Sequence, residues 1–174
     1  MLARTAVRTE RLVLRPLTPG DIPALVAGLN DYAVSKWLTV VPFPYAAADA
    51  VAFLAHLEKR GGHDGYGITR DGGAVMGVVG IGESLGYWLG RAHHGQGYMS
   101  EAAAALVGHV FATGGADALT SGYFAGNAAS ARVLAKLGFR RTHDERVRSR
   151  AQGAEVTLHR LRLTRAEWET RNGR

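Results

Sequence analysis

The chain contains no cysteine among its 174 residues. That absence removes disulfides, thiolate nucleophiles and cysteine-based zinc sites, and it suits a reducing compartment. Proline is scarce, at five residues, and Pro42 and Pro44 fall together in one irregular stretch. Lysine is nearly missing: the basic side, 21 Lys plus Arg against 15 Asp plus Glu, is almost all arginine. No run approaches the ~18 uninterrupted apolar residues of a membrane-spanning helix. The opening MLARTAVRTERLVLRP has no apolar block long enough for a secretory signal. With 47% hydrophobic residues the chain still has ample material for a core. A cytoplasmic, globular protein with one domain over residues 1–174 is therefore expected.

The net charge of +6 raises the question of nucleic acid. The basic residues crowd only in RRTHDERVRSR, residues 140–150, where no aromatic is interleaved and Asp144 and Glu145 interrupt the run. A nucleic-acid face needs a continuous basic stripe with aromatics to stack on. A phosphate-bearing small ligand or an acidic partner suits this charge better.

What is present is a clear alternation of patterns. RLVLRPL, residues 11–17, alternates basic and apolar residues and predicts a half-buried strand that Pro16 stops. Thr18 and Asp21 predict the cap of a helix running to about Asn30. Residues 31–45 are irregular, and AAADAVAFLAHLEKR carries a helical apolar stripe that ends at Gly61 and Gly62. GYGITR, AVMGVVGI and LGYWLG predict an antiparallel meander. A helix is expected from Tyr98 to Thr113, a strand in DALTSGYF, and a helix from Asn127 to Leu137 closed by Gly138. FRRT and EVTLHRLRL predict the last two strands, and TRAEWETRNGR reads as a polar tail or a short helix turn. The order is that of a mixed α/β (α+β type) domain.

The chemistry concentrates in RAHHGQGYMSEA, residues 91–102. His93 and His94 are adjacent, so their side chains need not converge. No partner with metal-ligand spacing lies nearby, and no metal site is expected. Gly95 and Gly97 instead permit a turn in which successive backbone N–H groups converge, and the helix that follows adds its own unpaired N–H groups. Such a cradle suits phosphate or pyrophosphate. It is not a Walker loop, which needs GxxxxGK[ST]. It is not a dinucleotide loop either, because the third glycine of GxGxxG is missing and the loop follows a meander.

The sequence from LGYWLG through both later helices resembles the GNAT superfamily, N-acetyltransferases that use acetyl-coenzyme A. YWLGRAHHGQGYMSEA is similar to the family's strand–loop–helix for the coenzyme pyrophosphate, with core (Arg/Gln)-x-x-Gly-x-(Gly/Ala). The leading Arg or Gln falls at Ala92, with Arg91 beside it. GNAASARVLAKLGFRR, residues 126–141, is similar to the second signature, an Asn, a helix and then Leu-Gly-Phe. RTERLVLRPL resembles the opening strand of the branch holding ribosomal-protein N-terminal acetyltransferases. The resemblance implies a mostly antiparallel twisted sheet with helices on both faces and a splayed central strand pair.

It also implies roles. The backbone of His94, Gly95, Gln96, Gly97 and Tyr98, with Met99 and Ser100 in the first helical turn, would hold the pyrophosphate. Trp88 and Leu89 would flank the pantetheine arm. Asn127 would cap the second helix and touch the arm, and Ser130 would lie near the thiol as ligand contact and proton donor. Many members carry their acid as a tyrosine at the position of Leu134, so Ser130 or water takes over here. Glu83 and Tyr87 are the catalytic candidates on this strand. Glu83 lies where some relatives carry the base, and Tyr87, of the same strand parity, would line the acceptor side. His93 is a third candidate whose pKa range suits the task. Trp37, Phe43 and Tyr45 would line the acceptor pocket.

The expected activity is transfer of an acetyl group from acetyl-coenzyme A to a primary amine, a protein N-terminus or a small molecule. With no cysteine to carry the acyl group, the amine attacks directly in a ternary complex. The alternative is a domain that binds acyl-coenzyme A as a sensor without transfer. A homodimer is the guess at assembly.

Overall fold

Continuously buried runs at 12–14, 66–69 and 77–81 build the first part of a sheet, because each strand sends successive side chains to opposite faces and both faces are covered here. The computed structural model describes residues 5–173. Its strands are β1 (Val7–Arg8), β2 (Val13–Arg15), β3 (Tyr66–Thr69), β4 (Gly77–Ile81), β5 (Leu85–Leu89), β6 (Ala118–Phe124), β7 (Arg140–Ser149) and β8 (Ala154–Thr164). They form one sheet in the order β1-β2-β3-β4-β5-β6-β8-β7. Every neighbouring pair is antiparallel except β5 and β6, which run parallel.

Helices α1 (Ile22–Leu29), α2 (Tyr32–Ser35), α3 (Ala47–Arg60), α4 (Tyr98–Ala112), α5 (Ala128–Leu137) and α6 (Arg165–Arg171) complete the fold. They pack on both faces of the sheet. Leu14, Ile68, Val79, Leu85 and Leu89 share one core with Leu106 of α4 and Leu134 of α5. Val78 on the opposite face joins Leu25, Leu29, Tyr45 and Ala50, with Trp88 packed against them. Fully burying a side chain of this size contributes about 1.5–3 kcal/mol, so two independent cores clamp β4 and β5 between them. Among the described residues no helix is long and apolar enough to cross a membrane.

The structure corrects the sequence reading in three places. The FRRT strand is only the start of β7, which continues to Ser149. Its polar composition hides any period-two signal, and polar pairs with β8 hold it: Asp144 meets His159 at 2.7 Å and Glu145 meets Arg160 at 3.1 Å, while within β7 Arg141 also meets Asp144 at 2.7 Å and His143 meets Glu145 at 2.9 Å. The crowded basic run therefore faces its own acids. A two-residue β1 pairs with β2, and a short α2 lies in the stretch read as irregular. Of the two readings of the tail, the short helix turn holds: it is α6, started by a capping box in which Thr164 and Glu167 satisfy each other's backbone N–H. Trp168 of α6 packs against Phe111 of α4 at 6.3 Å between ring centres.

Candidate active site

The site begins where β5 and β6 part. Their register holds at a single pair, Leu85 with Ser121, where Ser121 Oγ also donates to the Leu85 carbonyl at 2.8 Å. Past that point β6 follows β8 along its whole length. On its other side β5 stays paired with β4, and the Gly90 N–H donates to the Met76 carbonyl at 2.8 Å. Hydrogen-bonding direction alternates along an antiparallel strand. Gly86 and Trp88 therefore aim their backbone groups at β4, whereas Tyr87 and Leu89 aim theirs into the gap left by β6. The Leu89 carbonyl in that gap accepts a bond from His94 Nε2 at 2.6 Å.

The chain leaves β5 through a single 3₁₀ turn, Arg91–His93, and reaches α4 over the glycine loop. Gly95 and Gly97 have φ of 76° and 77°, a region that costs other residues a steric clash. Gly97 is the N-cap of α4 and offers no side chain to its first N–H groups. Those groups are left for a ligand or water. Tyr98 and Met99 are themselves buried, so only their backbone is on offer.

Two residues that sequence reasoning missed hold this loop. Glu101, in the first turn of α4, accepts from Thr9 Oγ1 at 2.6 Å, from the Arg11 N–H at 2.9 Å and from Arg11 Nε at 2.7 Å. Arg11 also donates to the Gln96 carbonyl at 2.9 Å and lies over the Tyr98 ring at 4.7 Å. Burial pushes the Glu101 carboxyl up, but the bonds from Thr9 and Arg11 outweigh it and hold it below its usual range. The charged S/T-x-R stretch before the first core strand was a visible signal, but its target lies 90 residues away.

On the far side of the gap Asn127 caps α5, its Oδ1 accepting from the Ser130 N–H at 3.3 Å. Ser130 Oγ lies 2.8 Å from the Tyr87 hydroxyl, so β5 and α5 are joined by a hydroxyl pair. Burial pushes the Tyr87 phenol up to about 12, against the opposing effect of the Ser130 hydrogen bond. Leu134 is fully buried in the core and does not line the cleft.

A cleft of about 1130 Å³ runs through this region. Its lining includes Tyr87, Trp88, Gly95, Gly97, Asn127 and Ser130, and also Trp37, Tyr45, Glu83 and His93. The remaining expected residues separate. Trp37 borders the cleft opposite Gly126. Tyr45 does too, but it is buried in the α1–α3 core and its backbone is held by Asn30. Phe43 is outside the lining, with its ring tilted on Tyr32 at 5.2 Å. Glu83 sits in the turn before β5 with its side chain 91% exposed and Arg60 at 3.9 Å. Among the described residues no group of three His, Cys, Asp or Glu side chains is placed to hold a metal ion.

Comparison with known proteins agrees with this geometry. The family model described as an acetyltransferase (GNAT) domain matches residues 11–140. The N-acetyltransferase p20 of Bacillus licheniformis is 26% identical over 92% of this chain and 96% of its own length. A GNAT-family acetyltransferase of Bacillus anthracis shares the fold with a TM-score of 0.79 at 20% identity, over 94% of this chain and 100% of that one. RimL, a ribosomal L7/L12 α-N-protein acetyltransferase solved with coenzyme A, has a TM-score of 0.77 at 21% identity, over 92% and 98%. With the family match covering most of its length, the chain belongs to the GNAT family of N-acetyltransferases.

Proposed function

We propose that the protein transfers an acetyl group from acetyl-coenzyme A to a primary amine, on a small molecule or a protein N-terminus, by direct attack in a ternary complex. The observation that carries this reading is the backbone edge of β5 facing the gap, open at Tyr87 and at the Leu89 N–H, with the Leu89 carbonyl held by His94. This edge leads straight into the Gly95–Gly97 cradle. A pantetheine arm is an amide chain and matches such an edge. A pyrophosphate matches the uncapped start of α4. The structural relative RimL was solved with coenzyme A.

Acetyl-coenzyme A supplies the thioester, whose carbonyl carbon a neutral amine attacks as the carbon–sulfur bond breaks. The protein's own part is positioning and one proton. The cleft brings donor and acceptor together, and much of the rate comes from that alone. The Tyr87–Ser130 pair stands in for the acid missing at Leu134. Tyr87, with its pKa pushed up to about 12, is protonated at neutral pH. A hydroxyl of the pair protonates the leaving sulfur, and the pair is restored by the proton that the attacking nitrogen sheds to water in the cleft. Trp37 and Tyr45 form the acceptor wall, with Trp88 packed against the core that holds Tyr45 and bordering the same cleft.

The test is release of free coenzyme A thiol upon adding amines, including N-terminal peptides. Release that depends on the amine supports the reading. Coenzyme A binding without amine-dependent release would mark a sensor instead.

A further inference from the structure

We infer that Arg11 is a positioning residue for the pyrophosphate cradle, acting from the first hairpin through Gln96 and Glu101. The inference rests on the coenzyme reading above. Three contacts of one guanidinium carry it.

The first is the bond from Arg11 to the Gln96 carbonyl at 2.9 Å. A trans peptide is planar, so its C=O and the following N–H point in opposite directions. Drawing the Gln96 carbonyl toward Arg11 therefore turns the Gly97 N–H away from Arg11 and toward the cradle. Gly97 has a left-handed φ of 77°, so this peptide has no side chain of its own to fix it.

The second is the pair with Glu101, Nε to Oε2 at 2.7 Å. A carboxylate in the first turn stabilises the helix, but an unpaired one beside an anion site repels the anion. Arg11 and Thr9 together claim both oxygens of Glu101, so its charge is answered before a ligand arrives. The third is proximity: an Arg11 terminal nitrogen lies 3.4 Å from where a Cβ on Gly97 would stand. The cation thus sits at the back of the loop, where its field favours an anion at the front.

The role predicts a selective defect. Pantetheine lacks the pyrophosphate, so only the full coenzyme should feel the clamp. Arg11→Ala and the charge-keeping Arg11→Lys are compared with wild type, using acetyl-coenzyme A and S-acetylpantetheine as donors, with coenzyme A affinity measured by calorimetry and folding by thermal melt. The expected result is a loss of roughly tenfold in kcat/KM and affinity with the coenzyme, the scale of one charge-assisted hydrogen bond, with the S-acetylpantetheine rate unchanged. Arg11→Lys keeps the pair with Glu101 but loses the fork to Gln96, so it shows the same selectivity even if Arg11→Ala folds poorly. Equal losses with both donors, or unaltered coenzyme affinity in both variants, overturns the clamp alone. Failure of the wild-type chain to bind coenzyme A overturns the coenzyme reading and the clamp with it.

Discussion

The Tyr87 hydroxyl lies 2.8 Å from Ser130 Oγ, so a strand residue and a helix residue 43 positions apart share one proton site. Replacing Tyr87 by Phe removes the buried donor. We expect kcat to fall by about 10²-fold or more, the lower range for general acid catalysis, with KM for acetyl-coenzyme A little changed. Ser130→Ala should cost less, because the phenol remains. The pH profile adds a second readout: with Tyr87 pushed up to about 12, the rate should rise as the amine loses its proton and show no fall near pH 10. An unchanged kcat in Tyr87→Phe would remove the phenol from the mechanism.

Gly97→Asp places a carboxylate in the cradle and a side chain at a φ of 77°. Both effects oppose an anionic ligand, through repulsion and through backbone strain of about 1–2 kcal/mol. Calorimetry should show coenzyme A binding weakened by roughly fivefold to thirtyfold where the free loop relaxes out of the strained geometry, and further by the repulsion. Wild-type affinity in the variant would contradict the loop assignment.

Gly28 of α1 faces the Trp88 ring, and a Cβ there would stand 2.5 Å from Trp88 Cζ3. Alanine within a helix normally gains about 0.5–1 kcal/mol over glycine. Overpacking costs about 1–3 kcal/mol and should win. Gly28→Ala should therefore lower the urea midpoint with an unchanged slope, and it should alter the acceptor KM as Trp88 shifts. A raised midpoint would mean that the ring has room to move freely.

Asp21 is buried and receives two bonds from Arg15, at 2.8 and 2.9 Å, and one from the Thr18 N–H at 2.8 Å. The Arg15 hydrogen bond, against the cost of burial, holds the Asp21 carboxyl below its ordinary value of 3.8. A folded pKa below the unfolded one stabilises the fold above the unfolded value, and the gain is lost as pH falls through the folded value. Asp21→Asn should cost ~2–3 kcal/mol near neutral pH. The gap between variant and wild type should narrow below about pH 4 in urea unfolding. A gap that is constant with pH would show that the charge is not the source.

Local spacing made much of this legible. Gly95 and Gly97 announced a loop of backbone N–H groups, Asn127 an N-cap and Gly138 a left-handed stop, because each acts within a few residues of itself. The capping box at Thr164 and Glu167 was equally readable, and it selects the helix turn from the two readings of the tail. β7 escaped because its stabilising partners are charged residues on β8, which leave no apolar period in its own sequence.

The sequence by itself determined the element order, the glycine cradle and the cap of α5, since turn and cap chemistry depends on residues close together in the chain. Only the tertiary structure decided that Tyr87 reaches Ser130, that Arg11 grips Glu101 and Gln96, that Glu83 stands in solvent and that Phe43 stays outside the cleft. Those outcomes depend on where β5 leaves β6 and on how two cores fix the strands between them. Such placements arise from packing between distant segments, and no local pattern encodes them.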